Sequence, residues 1–115
     1  MAFPATYNIS YYQGDTYEFE ISPLDSNGDP FVVSGYTSAF KIATKRGGTA
    51  GDYVGAAESE VDSGNNLIAC KIGSTLGATL QPGVAYVYDI AISKDGKEYT
   101  LLTGNINVTA QVKVS

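Results

Sequence analysis

The chain has 115 residues, 12 acidic and 7 basic side chains for a net charge of −5, 13 glycines, and no histidine. This is the size of one two-layer domain, and the composition suits a folded, turn-rich protein. Without histidine, triads and most zinc sites are excluded; without clustered cations (Lys45-Arg46 is the sole adjacent basic pair), so is binding to a nucleic-acid backbone.

The opening residues Met1-Ala2-Phe3-Pro4 lack a basic segment followed by an apolar run, so neither a secretion signal nor a membrane span is expected. Tyr7, Ile9 and Tyr11 alternate with polar residues and predict a first strand. Tyr17, Phe19 and Ile21 predict a second, with Glu18 and Glu20 on its wet face. A short strand is expected at Phe31 to Val33, and another through Ser38, Phe40 and Ile42. From Gly47 to Asn66 the chain is small and irregular, and a long loop or poorly paired edge strand is expected there. Ile68, Cys70 and Ile72 then share a face, followed by a single helical turn after Ser74. Tyr86, Tyr88, Ile90 and Ile92 mark a central strand. The last strand alternates Ile106, Val108, Ala110, Val112 and Val114 against Asn107, Thr109, Gln111 and Lys113. Asn27-Gly28 and Asp95-Gly96 suit the positive φ of tight hairpin turns, and Gln13-Gly14-Asp15 and Gln81-Pro82-Gly83 punctuate two further connections. The pattern is all-β, an immunoglobulin-like antiparallel β-sandwich of about seven strands filling residues 1–115 as one domain.

No catalytic residue, cofactor site or metal site is read from the chain. Cys70 falls at an inward position between Ile68 and Ile72, where a thiol acts as an apolar filler, and being alone it forms no internal disulfide. Glu18 and Glu20 point the same way, but a glycosidase pair needs a cleft and one raised pKa, and nothing apolar on their face suggests either. Asp25, Asn27 and Asp29 alternate like the start of a calcium loop, yet the glycine is misplaced and Tyr36 stands where the bidentate glutamate belongs. The Asn8-Ile9-Ser10 and Asn107-Val108-Thr109 sequons are attributed to chance.

The order of motifs carries a resemblance. Tyr12-Gln13-Gly14-Asp15 precedes a strand; Asp25-Ser26-Asn27-Gly28-Asp29-Pro30 follows; Ser34-Gly35-Tyr36-Thr37 leads into Phe40-Lys41-Ile42. With Leu80-Gln81-Pro82-Gly83, the Asp95-Gly96 turn and Leu102-Thr103-Gly104, the series resembles small immunoglobulin-like virion proteins of tailed bacteriophages. It is similar to the N-terminal module of baseplate upper proteins and to stand-alone structural proteins of phages infecting marine cyanobacteria. The Gly83 to Tyr86 spacing is close to an immunoglobulin tyrosine corner, though the paired cysteines and tryptophan of antibody domains are missing.

The resemblance implies a non-catalytic virion component assembled in the host cytoplasm, with a multi-copy capsid decoration role preferred over a neck, tail or baseplate accessory. Its implied partners are other virion proteins, the major capsid protein or tail and baseplate subunits, with neither nucleic acid nor membrane among them. A glycan-binding adhesin module using exposed tyrosines and the Gly47 to Asn66 loop is the alternative. The docking elements expected are the N-terminal arm, through Met1, Phe3 and Pro4, and that loop, through Tyr53 and Val54.

Overall fold

The structure, a computed structural model, describes residues 4–110; Met1 and Phe3, and the Val112 and Val114 end of the last strand, lie outside them. Its strands are β1 (Ala5–Thr6), β2 (Ile9–Tyr12), β3 (Tyr17–Ile21), β4 (Thr37–Ala43), β5 (Tyr53–Asp62), β6 (Leu67–Ile72), β7 (Ala85–Lys94) and β8 (Lys97–Thr109). One helical turn, α1 (Ser74–Gly77), joins β6 to β7 at the place the sequence marks for it. The strands form one sheet in the order β1-β8-β7-β4-β5-β6-β3, with β2 also beside β8. The protein is all-β, but its sheet is mixed: β1 and β2 run parallel to β8, and the other neighbours are antiparallel.

Large apolar side chains at every second position fix which face turns inward. Ile9 and Tyr11, Phe40 and Ile42, Ile68, Cys70 and Ile72, and Tyr86, Tyr88, Ile90 and Ile92 are all buried, as their alternation requires. The sheet curls around them until its two ends meet. The Tyr7 ring, between β1 and β2, lies 5.9 Å from that of Phe19 on β3, and the Tyr7 and Tyr17 hydroxyls share a hydrogen bond.

Half of the stretch expected to be a long loop or a poorly paired edge strand is a strand with partners on both sides. β5 pairs with β4 through residues 53–57 and with β6 through residues 58–62, so it joins the two halves of the curl. Its inward positions are Gly55, Ala57, Ser59 and Val61, small enough for the sheet to bend there, and that smallness conceals the alternation.

The expected strand at Phe31 to Val33 is an extended segment held by a side chain instead. Asn66 accepts the Val33 N–H at 3.0 Å through Oδ1 and donates to the Phe31 carbonyl at 3.0 Å through Nδ2, standing in for a neighbouring strand. Asn66 does this from the left-handed region, at φ 53°, which asparagine tolerates better than most residues.

The opening strand is broken at Tyr7-Asn8, which leaves Tyr7 43% exposed while Ile9 and Tyr11 enter the core. On the last strand, Ile90 pairs with Leu102 and Ala91 with Thr100, so Leu101 is an extra residue in a β-bulge and both leucines are buried. At the Asp95-Gly96 turn both φ angles are positive, as in a type I′ hairpin. At Asn27-Gly28 only the glycine is, because the Asp25 carboxylate accepts the N–H groups of Asn27 and Asp29 at 2.8 and 3.1 Å and shapes the turn. Tyr86 behaves as a corner residue: its hydroxyl accepts the Gln81 N–H at 2.7 Å.

The tyrosine closure makes stability sensitive to alkali. Burial first, and then the hydrogen bond and charge of Tyr7, push Tyr17 up to about 12; burial also raises Tyr88, whose hydroxyl donates to the Tyr7 carbonyl. A phenol with a raised folded-state pKa contributes stability fully present below its ordinary value near 10 and lost as pH climbs from there towards 12. The urea midpoint should therefore hold to about pH 9 and fall by about pH 11, less steeply in Tyr17→Phe. Equal slopes in the two proteins would count against this closure.

Candidate docking surface

The residues after β4 fold back as a short, tightly bonded loop. Thr44 donates its N–H to the Asp52 carbonyl at 2.8 Å, and Asp52 Oδ2 accepts the Thr49 N–H at 2.9 Å. Gly48 leaves room for the Asp52 side chain, since a Cβ at that position would lie 2.3 Å from its carboxylate and would displace it from the bond to Thr49. The loop is fastened to the sheet by Arg46. Its guanidinium pairs with Asp89 at 2.7 Å and donates to the Tyr88 and Gly104 carbonyls at 3.2 and 3.3 Å and to the Thr103 hydroxyl. Thr103 in turn donates to Asp89 at 2.6 Å. An exposed ion pair alone contributes little, so the several backbone contacts are what define the position of the loop.

Between this loop and the outer face of β4 and β7 lies a concave surface of about 290 Å³, bordered by Lys41, Lys45, Thr49, Tyr53, Val87 and Asp89. Tyr53 is 48% exposed on it. Val54 is different: Ala43 pairs with Tyr53 and Ile42 with Gly55, so Val54 is the extra residue of a bulge and packs, half-buried, against the core.

Pro4 is exposed but is not part of this surface. It adjoins Ala5, which is in register with Leu102 and borders a separate apolar groove with Ile21, Pro23 and Leu24. Only β8 separates β1 from β7, whose Val87 and Asp89 border the concave surface, but neither Pro4 nor Ala5 lines it. The structure thus brings Tyr53 together with Lys41, Lys45 and Arg46, and leaves Pro4 elsewhere.

Other sequence candidates fall as follows. Cys70 is buried, and burial pushes its thiol up to about 12. Glu18 and Glu20 are exposed on β3. Asp25 spends one carboxylate oxygen on its own turn. Among the described residues no His, Cys, Asp or Glu side chains gather in threes suited to a metal ion, and no helix is long and apolar enough to cross a membrane. Lys41 and Asp89 were hidden in the sequence. They occupy outward positions between buried neighbours on two strands, and only the register Lys41 to Asp89 makes them adjacent.

No family model and no curated protein matches this chain. Among solved structures it is similar to a nucleoside hydrolase-related hypothetical protein from Saccharophagus degradans, described as associated with carbohydrate metabolism. The identity is 14% and the TM-score 0.33, over 91% of this chain and 23% of that one, a likeness too low to bear on fold or function.

Proposed function

We propose that this chain is a non-catalytic structural protein of a tailed-bacteriophage particle, an immunoglobulin-like sandwich displayed in many copies as a capsid decoration protein. The observation that carries the reading is where the resembling motifs fall. Gly14, Gly28, Gly35, Gly83 and Gly96 all take positive φ at connections, and Tyr86 closes its corner on Gln81. These positions specify a scaffold and no reaction, as expected of a building block.

Strand pairing supports the immunoglobulin-like part. β3 pairs with β6 as strand B pairs with E, and β8, β7 and β4 follow the order G, F, C, with the corner tyrosine at the start of the F equivalent. Phe19 of β3 meets Phe40 of β4 edge-on at 5.9 Å, a contact from one layer to the other. The opening strands depart from that scheme by lying beside β8 instead of β3.

Quantitative mass spectrometry of purified virions tests the reading. Copies in the hundreds support decoration of the capsid lattice, and about a dozen or fewer point to neck, tail or baseplate. Absence from the particle overturns the proposal. The exposed Tyr53 ring beside its concave surface favours a second reading, a glycan-binding adhesin module, which chemical-shift changes at residues 41–53 on adding host-surface polysaccharide would support.

A further inference from the structure

The concave surface is a cationic spot on an acidic molecule. Lys41 and Lys45 are exposed, and among the described residues neither makes an ion pair, since Asp89 is engaged by Arg46. The Tyr53 ring stands beside them, and the Arg46 contacts hold the loop in place, so the surface is largely formed before anything binds. An occupant must bring carboxylates and a small apolar spot for the ring.

The chain itself carries such a face. On the outside of β5, β6 and β3 the register sets Glu58, Lys71 and Glu18 in one row and Glu60, Ala69 and Glu20 in the next. Ala69, itself half-buried, thus lies between two exposed glutamates. A tyrosine between lysines meets an alanine between glutamates.

We propose that the Lys41, Lys45 and Tyr53 surface docks on the outer β5-β6-β3 face of a second copy of this chain, with Tyr53 over Ala69 and the lysines on Glu20 and Glu60. Complementary charge selects this partner, and like-charged placements of the same two surfaces are penalised. The inference rests on the multi-copy reading for its biological setting, but its test uses purified protein alone. Failure of the contact would leave the copy number of the virion untouched.

Sedimentation of the full chain up to about 1 mM should show self-association whose apparent Kd weakens about tenfold or more between about 20 mM and about 500 mM salt. Lys41→Glu with Lys45→Glu should abolish it, as should Glu20→Lys with Glu60→Lys, because each doubly substituted protein then presents two surfaces of one sign. Mixing the two should restore association, since every contact between them is again of opposite sign. Tyr53→Ala should weaken the wild-type contact several-fold. A wild-type chain that stays monomeric throughout, or association that survives in either substituted protein alone, would overturn the proposal. So would a mixture that fails to associate.

Discussion

Phe40→Ala should remove about 3–5 kcal/mol of stability, a large part of what a domain this size has. Phe40 is 0% exposed and sits mid-strand on β4, with β5 on one side and β7 on the other. Its ring lies 5.9 Å from that of Phe19 and 5.5 Å from that of Tyr88, so it ties β3 to β4 and β7 across the curl. Its β5 partner is Ala57, which has nothing to swing into the vacated space. The gap should therefore persist as a cavity, and the loss should fall at the upper end of the range. Phe40→Leu refills most of that volume and should recover most of the stability. Urea unfolding of the three proteins checks this; a loss below about 1 kcal/mol in the alanine variant would mean that Phe40 is not a central core residue.

Gly104→Ala should be comparably damaging, at about 3 kcal/mol, although it adds a single methyl group. A Cβ there would lie 2.1 Å from the Tyr7 carbonyl oxygen and 2.8 Å from its carbon, and backbone cannot step aside as a flexible side chain can. The same carbonyl accepts the Tyr88 hydroxyl. Moving it also strains the bonds from Tyr7 N–H to the Thr103 carbonyl and from Asn105 N–H to Asn8 Oδ1. A polar group would be left unsatisfied near the core while β1 and β2 were pushed off β8. Gly51→Ala is the control, because a Cβ there meets only Thr49 Oγ1 at an ordinary 3.7 Å. Equal urea midpoints for Gly104→Ala and Gly51→Ala would sink the argument.

Where large apolar residues alternate, as at Tyr86 to Ile92 and Ile68 to Ile72, the inward face was plain from the chain alone. It was not plain where other devices replace side-chain bulk. The inward residues of β5 are small because the sheet bends there, and the bulge at Leu101 shifts the period of β8, whose next inward position after Leu102 is a glycine, Gly104. The Phe31 to Val33 segment reads as a strand because it is extended, but it is held by the Asn66 side chain and a single backbone bond from Phe31 N–H to the Pro23 carbonyl. The candidate docking surface was partly legible: Tyr53 is named from the sequence, whereas Lys45-Arg46 stands out there only as an adjacent basic pair. What fixes them is the contact from Arg46 to Asp89, 43 residues apart, and nothing local encodes it.

The placement of β1 and β2 against β8 governs how the chain can fold. Asn8 and Asn105, which bond across that seam, are separated by 97 residues, so the seam cannot form until the ribosome has released nearly all of the described chain. Pairings of such high contact order form slowly, since the loop-closure entropy is lost before any contact offsets it. Until then β8 presents an open edge to other nascent copies, and the chain is exposed to mispairing during that interval.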